Sequence, residues 1–170
     1  MIKNINFLFV TFFGIGTIRY APGTITSLIT TVLLFSLFHI LNLSNAAILI
    51  ILIAIFFYSF IAVANYIKEI PNKDPKEVVI DEVIGQSIPI YLYEIAHGTN
   101  KDSKEAILFY IYIFILFRFF DIKKPFPVNF FDKKFKNSFG VIMDDVIAGF
   151  YVVLTLIIFM VIKSKLFTWA

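Results

Sequence analysis

Cysteine is absent from the 170-residue chain. That excludes disulfides, a thiolate nucleophile and any metal site built on cysteine. Arginine occurs only at Arg19 and Arg118, and histidine only at His39 and His97. Charge of either sign is scarce at 16%, against 59% hydrophobic residues and a mean hydropathy of +0.87. Such a composition does not suit a water-exposed surface. What the chain has instead is aromatic bulk, 22 Phe and 8 Tyr, and long uncharged runs. It reads as an all-α, compact helical integral membrane protein. Three to five membrane-embedded helices with short interfacial helices form one domain over residues 1–170.

The runs define the layout. Ile5 to Phe13 is apolar but far short of the ~20 residues that a spanning helix needs. GIGTIRYAPGT follows it in place of a small-residue cleavage site, so a retained interfacial helix is expected. Gly14, Gly16, Pro22 and Gly23 mark a loop, with Thr24 or Thr26 available to cap the next helix. Ile25 to Leu41 and Ala46 to Ile67 then form a helical hairpin around the short turn Asn42 to Asn45. Lys68 to Glu77 is a polar loop, placed with the N-terminus in the cytoplasm by its lysines. Val78 to His97 either crosses as a helix kinked at Pro89 or dips in and returns. After the polar patch Gly98 to Glu105, Ala106 to Phe117 is the third clear run. A lysine-rich loop, Asn129 to Gly140, leads to the last run, Val146 to Ile162.

Charge reappears where these runs end. FRFFDIKKPFPV, Phe117 to Val128, carries Arg118, Asp121, Lys123 and Lys124, and Pro125 and Pro127 stop the helix there. Asp81 with Glu82 and Asp144 with Asp145 are the other acidic groups beside apolar runs. Two crossings or none separate the first group from Asp121, and none separates Asp121 from the third. All three therefore face one side, with the lysine-rich loop. Ionisable groups at membrane depth point to function. Five converging carboxylates suit a hard divalent cation, and Lys124, Lys123 and Arg118 suit phosphate oxygens. Simpler roles exist for each group. Asp81, Glu82, Asp144 and Asp145 can complement helix dipoles, and Asp121 can serve only as the i, i+3 partner of Arg118. The lysines can anchor the chain on anionic lipid headgroups. Gln86 is a supporting or packing amide, and Gly149 permits close helix approach. His39 and His97 lie far from the acidic groups in sequence and read as structural.

Four segments, YAPGTITSL from Tyr20, IDEVIGQ from Ile80, FRFFDIKKPFPV from Phe117 and GVIMDDVIAG from Gly140, resemble in order and wording the bacterial phosphatidylglycerophosphatase A family. Thr26 and Ser138 stand where that family usually has glycine, and Lys123 where it often has an aromatic residue; no carboxylate is affected. The resemblance implies a Mg²⁺-dependent lipid phosphatase of the bacterial cytoplasmic membrane. Its substrate would be phosphatidylglycerophosphate, and its site would face the cytoplasm. By resemblance, the metal-binding set is Asp81, Glu82, Asp121, Asp144 and Asp145. The expected catalytic set is Asp121, Lys124, Asp144 and Asp145, with Lys124 carried over from the family, and Arg118, Lys123, Lys124, Thr24 and Gln86 are expected from their own chemistry to serve the substrate. Either a water oriented by a carboxylate or Asp121 itself can be the nucleophile. Paired His and Arg motifs of histidine-based lipid phosphatases are missing, as is the DxD of haloacid-dehalogenase phosphatases. No nucleic-acid partner is expected. A small ion-coupled transporter and a structural membrane subunit are the readings from other classes. Against the first, the acids sit at helix ends and no inverted repeat is visible.

Overall fold

The computed structural model describes residues 2–68, 76–97 and 103–167, and all regular structure among them is helical. The short apolar run forms α1 (Ile2–Val10). Its exit is a tight loop in which Phe12, Phe13 and Gly14 take positive φ. The Thr11 hydroxyl bonds back to the Phe7 carbonyl and receives the Gly14 N–H. A bond from the Val79 N–H to the Val10 carbonyl ties α1 to the segment before α4.

The hairpin is α2 (Pro22–Phe35), extended by a π-helical turn over Ser36–Ile40, and α3 (Asn45–Lys68). No threonine caps α2, contrary to expectation. Ala21 is the N-cap in the left-handed region, Pro22 starts the helix, and Thr24 and Thr26 lie inside it. Pro22 is suited to that place because an N–H there has no intrahelical partner. Ser27, Thr31 and Ser36 donate to carbonyls four residues back, so these hydroxyls are satisfied within an apolar helix.

Val78 to His97 holds no reversal of the chain. It contains one helix, α4 (Ile80–His97), with Pro89 inside. At 1.5 Å per residue it is about 27 Å long. α5 (Ser103–Lys123) runs through Arg118 and Asp121 before ending where Lys124 takes positive φ ahead of Pro125. The expected lysine-rich loop is partly ordered as α6 (Val128–Lys134). The final helix, α7 (Ser138–Phe167), begins well before Val146. Asp144 and Asp145 therefore sit about two turns inside it, not at its first turn. The polar patches 69–75 and 98–102 lie outside the described residues.

Three helical segments, Pro22–Ile40, Asn45–Lys68 and Ser138–Lys165, are long and apolar enough to cross a membrane. From Val146 to Lys165, α7 covers about 30 Å, the thickness of the hydrocarbon core. The outer faces carry exposed Ile50, Phe57, Ile61, Leu108, Ile157 and Ile162, an arrangement stable against lipid and not against water. Inside, one apolar cluster packs Leu34, Phe38, Ile90, Tyr110, Ile113, Phe117 and Val152. A second packs Val10, Val63, Ile80, Val83, Ile142 and Val146 beneath the acidic end.

Candidate functional site at the acidic end of the bundle

The starts of α2, α4 and α7 and the end of α5 converge at one end of the bundle. Two glycines allow it. A Cβ on Gly85 would lie 2.6 Å from the Asp145 carbonyl and 2.7 Å from the Phe117 ring. A Cβ on Gly149 would lie 2.5 Å from the Gly85 carbonyl. Pro89 has no N–H to offer that carbonyl, so the Gly149 Cα packs against a backbone oxygen that has lost its helical donor. Close approach of α4 and α7 follows, as small residues permit in membranes. It puts Asp145 beside the first turn of α4.

There, Asp81, Glu82 and Asp145 each offer a carboxylate oxygen, all within 4.8 Å of one another. Among the described residues this is the one group of three or more such side chains close enough to hold an ion. Asp145 is buried, and Asp81 and Glu82 are half-buried. The Oε2 atom of Glu82 is buried without a hydrogen-bond partner. An all-oxygen donor set with a buried lone acceptor fits a hard cation, and three carboxylates drawn from water repel one another without one.

Two ion pairs flank the trio. Arg118 pairs with Asp121 one turn on, and its guanidinium also reaches the Ser27 hydroxyl at 3.4 Å. Lys124 Nζ donates to Asp144 Oδ2 at 2.8 Å. Asp144 Oδ1 accepts the Asp145 N–H at 3.0 Å, and Asp81 Oδ1 accepts the Glu82 N–H at 3.1 Å. The five acidic positions singled out in the sequence thus share one end of the fold but divide by partner. Three face one another, and two hold cations. Gln86, one turn below Glu82, is fully buried with both amide atoms unpaired. Thr24 is half-buried in the first turn of α2, and Lys123 is exposed.

Sequence reasoning missed several contributors. A side chain on Gly23 would collide with the Glu82 carboxylate, and the Arg118 Nη1 lies 3.4 Å from the same point. Gly23 thus lets the start of α2 close over the trio, and Ser27 one turn later steadies Arg118. The APGT segment carries the available signal, but its threonines point to capping and not to a close approach. Glu94 was also missed. Buried near the far end of α4, it accepts from Tyr110 at 3.0 Å and contacts His39 Nε2 at 3.1 Å. This places His39 twelve residues of α4 away from the acidic trio, in a contact that joins three helices.

A helical membrane-embedded protein with an oxygen-rich acidic cluster flanked by paired cations belongs with membrane enzymes that act on phosphate groups. Residues 8–160 match the family described as Phosphatidylglycerophosphatase A, and the chain belongs to that family. It is 36% identical over 143 residues to a Haemophilus influenzae protein named Phosphatidylglycerophosphatase A, covering 84% of this chain and 80% of the relative. It is 34% identical over 144 residues to a Bacteroides thetaiotaomicron protein provisionally named as a phosphatidylinositol-3-phosphatase, covering 82% and 83%. An Escherichia coli protein named Phosphatidylglycerophosphatase A is 32% identical over 82 residues, covering 48% and 42%. No solved structure shows significant similarity.

Proposed function

We propose that the protein hydrolyses the terminal phosphate monoester of phosphatidylglycerophosphate, releasing phosphatidylglycerol and inorganic phosphate, at the cytoplasmic face of a bacterial inner membrane. The observation that carries this is the acidic trio set between Lys124–Asp144 and Arg118–Asp121 at one end of the bundle, in a chain of this family. Asp81, Glu82 and Asp145 would hold Mg²⁺, which when bound supplies Lewis acidity toward phosphate oxygens and water.

The remaining steps belong to the side chains. Lys124 and Arg118 offset charge on the phosphoryl group, where preorganised donors contribute most. Asp144 and Asp121 hold these two cations in place before the substrate arrives. Asp121, joined through Arg118 to the edge of the trio, accepts the proton of the attacking water. The water oxygen forms the new bond to phosphorus in line with the glycerol oxygen, which departs and takes up a proton from solvent, while Asp121 later returns the water's proton to solvent. Lys123, Lys134 and Lys136 attract the anionic headgroup from the same leaflet.

Phosphate release by the purified protein in micelles tests this. Phosphatidylglycerophosphate is expected to be cleaved, to stop in EDTA and to resume with Mg²⁺. Phosphatidylinositol 3-phosphate is the second lipid to assay, given the name of the Bacteroides relative; preference for it would move the headgroup assignment and leave the chemistry. A transporter or scaffold would release phosphate from neither.

A further inference from the structure

Between α3, α4 and α7 lies an apolar groove of about 320 Å³. Its wall on α4 starts at Val83 and Ile84 and continues through Ser87 and Ile88 to Leu92, with Ile53 facing from α3 and Phe150 at the lip on α7. The Ser87 hydroxyl is committed to the Val83 carbonyl at 2.6 Å, so it is not a free donor to an occupant. We infer that this groove seats an acyl chain of the lipid whose phosphate is cleaved, making it a chain-length-reading subsite. The inference rests on the lipid-phosphatase reading above.

Three observations select this occupant. Both α3 and α7 are long and apolar enough to span a membrane, so the groove opens toward lipid. It also reaches toward the candidate site, because Ile88 and Leu92 lie on the same stripe of α4 as Asp81 and Gly85, and the Ile88 Cβ is 3.4 Å from where a Cβ on Gly149, one turn past Asp145, would stand. Its length fits as well. Val83 to Leu92 covers about 14 Å of helix, close to half of a ~30 Å hydrocarbon core. A chain entering beside Asp81 would thus run the depth of a single leaflet, the one whose headgroups meet the carboxylates. Seating it would fix the phosphate laterally, and binding energy far from the reacting bond can serve orientation.

The test fills the groove. Ile88→Trp narrows it from α4, and Ile53→Trp does so from a partly exposed position on α3 whose substitution spares the core. Ile50→Trp, on the lipid-facing side of α3 outside the groove, is the control. kcat/KM is measured in one detergent on phosphatidylglycerophosphate with two 16-carbon or two 6-carbon chains. Both groove variants are expected to lose tenfold or more on the long-chain lipid and less than twofold on the short one, with the control unchanged on both. Equal losses on the two lipids, or no loss, would overturn the subsite. A second readout needs no turnover: photocrosslinking of the wild type with a diazirine-bearing acyl chain on phosphatidylglycerophosphate or on phosphatidylcholine. Preferential labelling of Ile88 and Ile53 by the monoester lipid supports the subsite. Equal labelling by both makes the groove ordinary bilayer contact and overturns it. Selective labelling without phosphate release from either lipid would keep the groove and overturn the hydrolase reading.

Discussion

At the scale of single residues, the site divides its carboxylates by what they touch. Lys124 is proposed to meet phosphate, so Lys124→Met is expected to lower kcat by about 100-fold, the loss typical for a donor aimed at transition-state charge. Lys136→Met, an exposed residue beyond α6, is expected to cost less than about threefold and to weaken further at high salt, as screened surface charge does. Equal losses would mean that the lysines act only as a diffuse field. Asp144→Asn should resemble Lys124→Met with the Mg²⁺ requirement unchanged if its ion pair with Lys124 is its role. A rise in the Mg²⁺ needed for half-maximal rate would instead make Asp144 a ligand. The identities of these residues are legible in the sequence, since charge is conspicuous in so apolar a chain. Their division is not. Asp144 and Asp145 are adjacent in sequence, but their side chains point about 100° apart on a helix. Which of them turns toward α4 depends on how α7 packs. Glu94 illustrates the same limit, for its partners His39 and Tyr110 come from two other helices.

At the scale of elements, the α4–α7 crossing decides whether the trio exists. Gly85→Ala places a methyl where the Asp145 carbonyl and Phe117 ring already are. Overpacking of this kind costs about 1–3 kcal/mol. Gly85→Ala should therefore lower the unfolding temperature in detergent and raise the Mg²⁺ requirement together, by moving Asp145 away from Asp81 and Glu82. Gly14→Ala is the contrasting case: nothing lies near its Cβ, but φ is +92°. It is expected to cost stability alone. A Gly85→Ala variant with unchanged Mg²⁺ dependence would show that helix spacing does not set the trio. The runs behind α2, α3 and α5 are readable from length and hydropathy. The start of α7 is not, because SFGVIMDD looks like a loop until Gly140 packs against the Phe135 backbone. The α6 helix is hidden for a related reason: two prolines announce a stop but do not say that a helix resumes at Val128.

At the scale of the whole molecule, the helix directions agree with the parity inferred from the acidic groups, since the starts of α2, α4 and α7 and the end of α5 share one end. Labelling tests which side of the membrane that end faces. Single cysteines at Lys76 and Lys134, introduced into a chain that has none, are expected to react with a membrane-impermeant thiol reagent in inside-out vesicles and not in right-side-out cells. Reaction from opposite sides would separate the lysines from the trio and break the proposed topology.

The proposed role of Asp81, Glu82 and Asp145 is to hold the metal ion that drives phosphate release. Its most direct measurement is the rate of phosphate release from phosphatidylglycerophosphate against Mg²⁺ concentration, for wild type and for Asp81→Asn, Glu82→Gln and Asp145→Asn, each checked for folding by its unfolding temperature. Wild type should be silent in EDTA and restored by Mg²⁺. Each variant should lose at least about 100-fold, with any residual activity shifted to higher Mg²⁺. Full wild-type activity in EDTA, or three folded variants that keep wild-type rates and wild-type Mg²⁺ dependence, would contradict it.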